Sequence, residues 1–532
     1  MSLSWHVNGR FDSGDRFVQD GCIDDLSGAV HACVQLEGVT LGDVRAEMPL
    51  ETSETDRIFM NGYQTWTFSP EYTRHSSIRG LHGTPSAAVS HFSLDRYGDY
   101  HFVPYLDRSG ILHGFSWMTV RSGDHFRLIG SLDERPGYTI FTYDAKMNFL
   151  YLKRDCMDVK CTGDFHAFDL FFAEGTQQEV YDAWFAAMGI HERTDEKLFG
   201  YSSWYNRYQD ISEAAIMQDL AGCETILKEG DLFQIDDGWE PFIGDWLEEN
   251  RGKFPQGMKS AAERIHASGF KAGLWLAPFV AEENSELYKK HPDWLLKING
   301  EPWKLGCNWS GFYSLDIDHP EVQQYLKDVF SRVFDEWGFD LVKLDFLYGA
   351  APFGTTEESR AGRMYRAWEM LRELCGDHLI LGCGTPVMPA FGYADYCRIS
   401  CDVTLDWNDK LHMRIIHRER PSTRQAIINT INRFGINGRA HLNDPDVFFL
   451  RTENCSLNAK QKELLAMTGA LLGGIWLTSD DPSSYTEEMK QDYRRYRYIS
   501  EHARNISLHY GERPEIAYEL DGTRRSFVLN FR

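Results

Sequence analysis

The chain has 532 residues and a mass of 61.4 kDa, which predicts two or three domains unless one of them is a large barrel. Its hydrophobic content of 42% and charged content of 25% are typical of a globular enzyme. Acidic residues outnumber Lys and Arg by 79 to 55, giving a formal charge of −24. This argues against nucleic acids and anionic membranes as partners, because both require basic surfaces, and favours a neutral or cationic ligand.

The chain termini and cysteines suggest a cellular location. The first ten residues contain no apolar segment or small-residue cleavage site, so we expect no signal peptide. The longest apolar run, residues 464–477, is glycine-rich and too short to span a bilayer. Eleven cysteines, an odd number without framework spacing, predict reduced thiols and a cytoplasmic protein.

Residues 1–180 have the pattern of a β-sandwich domain. Alternating segments at 30–36, 126–130 and 138–143 are separated by turn pairs such as Ser13-Gly14 and Ser122-Gly123. Such spacing with almost no helical periodicity predicts a large sandwich. A helix is predicted over residues 176–188, where the pattern changes.

Residues 181–482 alternate between short apolar segments and amphipathic helices. Eight strands are predicted, at residues 198–205, 231–237, 271–278, 341–346, 379–384, 396–400, 438–442 and 475–479. Helix starts are predicted at Asp318 (an N-cap before Pro320), at residues 356–359 and at Asn458. Eight such units predict a central (β/α)8 TIM barrel.

Three other segments complete the prediction. The connection 384–396 is too short for more than a turn, whereas 278–341 is long enough to carry a substrate loop. Residues 483–532 are predicted to form a short C-terminal antiparallel β domain, with a hairpin at Asp521-Gly522. The chain is therefore expected to be multidomain.

In a TIM barrel the active site lies at the carboxyl ends of the strands. The residues at or just beyond the predicted ends include eight acids and two bases: Trp204, Tyr205, Asp236, Asp237, Trp275, Lys343, Asp345, Cys383, Arg398, Asp402, Asn443, Asp444, Asp446, Ser479, Asp480 and Asp481. This set predicts a polar pocket with aromatic walls that stack on sugars. The alternative is that each acid caps the helix that follows it.

Asp345 is the candidate nucleophile. It lies two positions after Lys343 on one predicted strand, so both side chains should face into the barrel. We expect Lys343 to stabilise the carboxylate and lower the pKa of Asp345, as a nucleophile requires. A purely structural ion pair is the alternative.

Asp402 is the second candidate carboxylate. It follows the sixth strand, two strands from Asp345, and retaining glycosidases place two carboxyl groups about 5–5.5 Å apart. A helix N-cap is the alternative role for Asp402. Asp236 and Asp237 are suited to accept hydrogen bonds from sugar hydroxyls, although Asp-Gly is also an ordinary turn pair.

Other chemistries have weaker support. The residues considered as zinc ligands are Cys383, Cys397, Cys401, His412, His417 and His441, but no C-x-x-C pair accompanies them, so we expect core thiols and no metal. The chain has no G-x-G-x-x-G after a strand and no G-x-S-x-G. No nucleotide cofactor or serine nucleophile is therefore predicted.

Seven segments together resemble glycoside hydrolase family 36, the α-galactosidases. They are residues 200–205, 235–239, 273–279, 313–320, 343–345, 382–386 and 442–446, in the family's order. The resemblance extends from about Asn61 to the C-terminal sheet. It implies an N-terminal β-supersandwich, a catalytic barrel and a C-terminal β domain.

The resemblance also implies roles for individual residues. Asp345 is similar to the family's nucleophile and Asp402 to its acid/base, in a double displacement that retains anomeric configuration. The implied substrate contacts are Asp236 and Asp237 to the galactose 4- and 6-hydroxyls, Lys343 and Arg398 as basic contacts, and Trp204, Tyr205, Trp275, Cys383 and Trp66 in the pocket. The segment 61–66 resembles a loop that reaches over the barrel. One departure is Ser400-Cys401 before Asp402, where the family often has Gly-Pro or Ser-Pro.

The expected function is release of terminal α-D-galactose from small oligosaccharides such as melibiose or raffinose, without metal or cofactor. The alternatives are an α-N-acetylgalactosaminidase, a galactosyl-transferring enzyme, a sugar-binding barrel without turnover and a metal-dependent barrel hydrolase. The sequence leaves open the oligomeric state, and whether Trp66 closes the pocket of its own subunit or of a neighbour.

Overall fold

A computed structural model describes residues 2–81, 83–100, 102–410, 413 and 418–531. In its N-terminal part, eleven strands of the described residues form one antiparallel sheet. The strands are Leu3–Phe11, Arg16–Ile23, Gly28–Pro49, Arg57–Met60, Glu71–Tyr72, Ile111–Phe115, Trp117–Ser122, His125–Ser131, Tyr138–Asp144, Phe149–Asp155 and Lys160–Gly175. Much of Gly28–Pro49 alternates between buried and exposed residues, as expected of a sheet with one face on a core. The predicted β character of this region is confirmed, whereas the sandwich layout stays a prediction.

Helix Gln177–Met188 connects this sheet to the rest of the chain, close to the predicted range. It begins with a capping box, in which Thr176 and Glu179 satisfy each other's backbone N–H groups. Trp184 and Phe185 on this helix pack against Phe391 of the following region. The helix therefore lies in one hydrophobic cluster that the N-terminal sheet and the central region share.

The central region is built on a parallel sheet of nine strands in the described residues. In chain order they are Leu198–Ser202, Leu232–Ile235, Lys271–Leu276, Leu341–Leu344, Leu379–Gly382, Tyr396–Arg398, Leu442–Asp444, Val447–Phe448 and Ile475–Thr478. The two edge strands, Leu442–Asp444 and Val447–Phe448, are only two residues apart in the chain. In addition, the Gly474 amide donates to the Asn443 carbonyl at 2.7 Å, so the sheet curls until its edges meet.

Helices alternate with these strands, as the predicted βα pattern requires. The helices of the described residues beyond Gln177–Met188 are Trp204–Arg207, Glu213–Cys223, Gly257–Ala267, Glu286–Lys290, Pro320–Ser331, Arg360–Cys375, Thr423–Asn432, Ala459–Leu472 and Glu487–His502, and Ser86–Phe92 lies in the N-terminal part. Ser359 and Asn458 cap their helices, as expected. The parallel βα architecture is confirmed, and the domain boundaries stay predictions.

Two local predictions are wrong. The seventh strand is Leu442–Asp444 and not residues 438–442, because the chain turns through Gly438 with φ of 68° before it extends. The helix after residue 318 is capped by His319, whose Nδ1 accepts from the Glu321 amide at 3.2 Å. Asp318 instead pairs with Arg363 and Arg366.

The C-terminal part contains three antiparallel strands, Arg504–His509, Glu515–Leu520 and Thr523–Val528. The predicted hairpin is confirmed: Asp521 and Gly522 both have positive φ, 52° and 70°, as a type I′ turn requires. Residues 483–532 were predicted to be β structure alone, but they also contain helix Glu487–His502. That helix is rich in charged residues, and it buries Tyr493, Tyr496 and Ile499.

Two further findings concern the chain as a whole. None of its eleven cysteines, all within the described residues, forms a disulfide. Among the described residues no helix combines the length and apolarity needed to cross a bilayer.

Candidate active site

A cavity of about 400 Å³ opens at the carboxyl ends of the parallel strands. Its walls are formed by Trp66, Tyr97, Trp204, Gln209, Asp236, Asp237, Trp275, Asn308, Trp309, Lys343, Asp345, Phe346, Cys401, Asp402, Met413, Glu419 and Pro421. The structure thus brings together both candidate catalytic carboxylates, the Asp236–Asp237 pair, Lys343 and three predicted tryptophans. Of the other predicted site residues, Tyr205, Cys383 and Arg398 are buried and do not line this cavity.

Asp345 follows strand Leu341–Leu344 and is buried in the cavity wall. Its carboxylate accepts from the Phe346 amide at 2.8 Å and from Trp275 Nε1 at 3.2 Å. Phe346 has φ of 53°, a left-handed conformation uncommon for a bulky residue. Burial raises the pKa of Asp345 above its usual value, while the Lys343 charge and a hydrogen bond with Cys383 oppose that rise.

Lys343 binds a different carboxylate from the one predicted. Its Nζ donates to Asp236 Oδ2 at 2.9 Å, and both side chains are buried. The Lys343 charge does act to lower the pKa of Asp345, as expected, but the expected net depression is not found, because burial of Asp345 outweighs this attraction. Both side chains do line the cavity, as the period-two argument required.

Arg398 connects three carboxylates beneath the cavity. Its guanidinium donates to Asp402 Oδ1 at 2.9 Å, to Asp444 Oδ2 at 3.0 Å and to Asp446 Oδ1 at 2.9 Å. Burial raises the pKa of Asp446 to about 6, although Arg398 opposes this, and Tyr205 donates its hydroxyl to Asp446. Arg398 thus holds the Asp402 carboxylate directly, and Tyr205 holds the neighbouring Asp446.

Asp402 is open to the cavity. Its side chain is 40% exposed, whereas that of Arg398 is 4% exposed. The helix-cap alternative is excluded, since Ser422 caps helix Thr423–Asn432 and donates its own amide to the Asp402 carbonyl at 2.9 Å. Ser400 and Cys401 before it are both buried.

Asp236 and Asp237 follow strand Leu232–Ile235 and are held differently. Asp236 Oδ2 accepts from Gln234 Nε2 at 2.8 Å as well as from Lys343. Asp237 Oδ2 accepts from Gln209 Nε2 at 2.9 Å and from Trp309 Nε1 at 3.0 Å. Burial raises the pKa of Asp237 and, more strongly, that of its neighbour Glu240.

Trp66 reaches the cavity of its own chain. Its ring lies 5.1 Å from that of Phe346, and its Nε1 donates to Cys383 Sγ at 3.4 Å. The loop around it is pinned by the Thr65 amide, which donates to the Thr385 carbonyl at 2.9 Å. The buried Cys383 thiol therefore helps to hold the Trp66 indole in its position in the cavity wall.

Sequence reasoning missed several lining residues. Asn308 and Trp309 lie in the long 278–341 connection, which was predicted to carry a substrate loop without naming a residue. Tyr97 joins them from the N-terminal part, donating to Asn308 Oδ1 at 2.8 Å. Nothing in the local pattern identified Glu419, which belongs to the irregular segment after Asp402.

Four of the six residues considered as zinc ligands lie in the described part of the chain. Among the described residues, Cys383, Cys397, Cys401 and His441 do not come together at metal-ligand spacing. Burial lowers the pKa of His441 to about 3, which keeps its ring neutral. His412 and His417 lie outside the described residues.

Comparison with known proteins gives consistent results. Residues 193–367 match the Melibiase family. The chain is 31% identical over 177 residues to α-galactosidase AgaA of Geobacillus stearothermophilus, covering 32% of this chain and 23% of that protein. It is 30% identical over 203 residues to a probable α-galactosidase C of Aspergillus oryzae, covering 35% and 26%. These matched segments span about a quarter of the length of the curated relatives.

Solved structures match over nearly the whole chain. TtGalA, an α-galactosidase from Thermus thermophilus crystallised with p-nitrophenyl α-D-galactopyranoside, is 27% identical with a TM-score of 0.73, and the alignment covers 98% of each chain. The family 36 α-galactosidase AgaA of Geobacillus stearothermophilus has a TM-score of 0.61 at 14% identity, covering 97% of this chain and 79% of that one. The latter likeness concerns the fold alone.

Proposed function

We propose that this chain is a member of glycoside hydrolase family 36 and a retaining α-galactosidase that releases terminal α-D-galactose from small galactosides. The proposal rests on one observation: a single cavity is lined by Asp345 and Asp402 together with Asp236, Asp237 and Lys343. The Thermus thermophilus relative supports the substrate class, since it has been crystallised with a nitrophenyl galactoside and with stachyose.

The proposed reaction has two displacements at the anomeric carbon. Asp345 attacks C1 and forms a β-galactosyl ester, while Asp402 gives its proton to the leaving oxygen. Asp402 then takes a proton from water, whose oxygen attacks C1 and releases Asp345 and α-galactose. The amide of Phe346 and the indole N–H of Trp275 hold the Asp345 carboxylate in position.

Asp236 and Asp237 would bind the sugar and select for galactose. Each is a buried acceptor fixed by at least one side-chain donor, so neither has to reorganise when a sugar hydroxyl arrives. Trp66, Trp204 and Trp275 supply flat apolar surface for the C–H faces of the ring. These roles do not require a metal or cofactor.

The two carboxylates can be told apart by azide rescue. We expect Asp345→Ala and Asp402→Ala to lose at least about a thousandfold in turnover of the unactivated substrate raffinose. With p-nitrophenyl α-galactoside, azide should rescue Asp402→Ala through the galactosyl-enzyme and yield α-galactosyl azide. It should rescue Asp345→Ala by direct attack and yield β-galactosyl azide. The anomer of each product, read by NMR, assigns the roles.

Asp481→Asn is the matched control, because Asp481 is also a strand-end carboxylate but does not line the cavity. It should keep near-normal turnover. If Asp345→Asn kept near-normal turnover, or if native enzyme released β-galactose first, the proposed mechanism would be wrong. A panel of nitrophenyl α-glycosides, with product analysis on raffinose, separates hydrolysis of galactosides from N-acetylgalactosaminidase or transfer activity, and no turnover across it would indicate a sugar-binding barrel.

A further inference from the structure

The N-terminal sheet carries a cluster of three potential metal ligands on two neighbouring strands. His31 lies on Gly28–Pro49, and His166 and Asp169 lie on Lys160–Gly175. His31 Nδ1 is 2.6 Å from Asp169 Oδ1, and His166 Nδ1 is 2.9 Å from Asp169 Oδ2. One ligand atom from each of the three residues lies within 4.8 Å of the others, and none of the residues lines the active-site cavity.

A β-bulge creates this arrangement. Residues three apart on a regular strand face opposite sides of a sheet, so His166 and Asp169 should point apart. Instead, the register shifts between His166, which pairs with Cys33, and Phe168, which pairs with Ala32. The extra residue, Ala167, is fully buried, and the shift turns His166 and Asp169 to the same side as His31.

The chemistry of the three side chains suits a transition-metal ion. Two imidazole nitrogens and one carboxylate oxygen are a donor set that zinc binds, with water in the fourth position. Bonds of about 2.0 Å to a tetrahedral zinc put ligand atoms about 3.3 Å apart. The His31 and His166 nitrogens lie 2.6 and 3.0 Å from Asp169 Oδ1, so both would move outward, by at most about 0.7 Å, to admit the ion. The Asp169 side chain is 8% exposed, whereas those of His31 and His166 are 53% and 46% exposed. The carboxylate is therefore held in place while the imidazoles face solvent.

We propose that His31, His166 and Asp169 bind one divalent transition-metal ion of the zinc type, which cross-links two long strands of the N-terminal sheet. Both strands belong to the same sheet and the ligands lie outside the catalytic cavity, so the ion would affect the stability of this sheet and not the reaction of the sugar. This inference is independent of the proposed galactosidase activity.

The test is a zinc titration of the full-length, chelator-treated protein in competition with a chromophoric chelator near neutral pH. We expect one zinc per chain, and at least about tenfold weaker binding in each of His31→Ala and His166→Ala. His6→Ala is the matched control, since His6 also lies on this sheet and pairs with Asp20 at 2.6 Å, but in a pair with only one histidine. It should bind zinc like the native protein.

A second readout guards against misfolded variants. Zinc should raise the melting temperature of the native protein and of His6→Ala, but not that of His31→Ala, with circular dichroism showing that all of them are folded without metal. Absence of competitive zinc binding by native protein would overturn the proposal. So would equal affinity in His31→Ala, His166→Ala and His6→Ala. Galactoside hydrolysis that survives zinc removal is expected, and its loss would contradict a structural role.

Discussion

Glu419 links the segment after Asp402 to the loop that carries Trp66. It is buried in the cavity wall, where it accepts from the Thr67 hydroxyl and from Gln64 Nε2. Burial raises the pKa of Glu419 from 4.5 to about 7, and the Thr67 hydrogen bond opposes that rise. We therefore expect Glu419→Gln to change how the stability of the protein depends on pH.

The sign follows from the raised pKa. A carboxyl group that binds its proton more tightly in the folded protein contributes stability below its unfolded pKa of 4.5, and that contribution is lost as pH rises through about 7. The difference between 4.5 and about 7 corresponds to a penalty of about 3 kcal/mol at pH 8 and about 1 kcal/mol at pH 5. A glutamine at this position carries no such penalty.

The substitution can be accommodated without losing a hydrogen bond. The amide oxygen of Gln64 is buried and has no partner among the described residues. A flip of the Gln64 amide would turn this oxygen toward the amide nitrogen that Glu419→Gln introduces, while Thr67 keeps donating to the remaining side-chain oxygen. The variant thus resembles protonated Glu419, and the pH-dependent contribution is the main difference between the two proteins.

Urea unfolding of native protein and of Glu419→Gln at pH 5 and pH 8 measures this contribution. We expect the variant to gain about 2–3 kcal/mol relative to native protein between the two pH values. Glu134, whose pKa burial also raises to about 7, contributes equally to both proteins and cancels. Glu301→Gln, at an exposed glutamate, should follow native protein at both pH values. A Glu419→Gln difference that is the same at pH 5 and pH 8 would refute the reasoning.

Three other substitutions test packing and the site. Arg497→Met leaves Asp231 buried without its bidentate partner and should cost about 3–5 kcal/mol in urea unfolding. Gly200→Ala should cost at least about 3 kcal/mol or prevent folding, because the new Cβ would collide with the backbone oxygen of Leu232 on the neighbouring strand. Trp275→Phe removes a donor to the Asp345 anion, so the pKa of Asp345 should rise further and the acid limb of kcat/KM should move to higher pH.

Much of the fold was accessible from the sequence because its parts have strong local patterns. The parallel strands were located within a few residues, except that the seventh was predicted at residues 438–442 and lies at Leu442–Asp444. Helix Glu487–His502 was missed because its exposed face is dense in charge and its buried face uses tyrosines in place of aliphatic residues. Periodicity of hydrophobic residues detects such a helix poorly.

The site was less predictable, because its walls come from distant segments. Strand ends identified the acids, yet Tyr97, Trp309 and Glu419 come from irregular segments with no period to follow. The ion-pair partner of Lys343 also could not be predicted from the sequence of its own strand. Period two gives the face on which a side chain lies, but the ion pair is made with Asp236, which follows a strand two places away in the sheet.

That choice of partner bears on the proposed mechanism. A lysine bonded directly to Asp345 would hold its anion, but it would also oppose the positive charge that develops at C1 in an oxocarbenium-like transition state. With Nζ on Asp236, the described walls of the cavity carry four aspartates and a single lysine. The negative field that results favours the cationic transition state, and together with burial it raises the pKa of Asp345. The N–H groups of Phe346 and Trp275 then keep Asp345 ionised without placing a cation next to the reacting carbon.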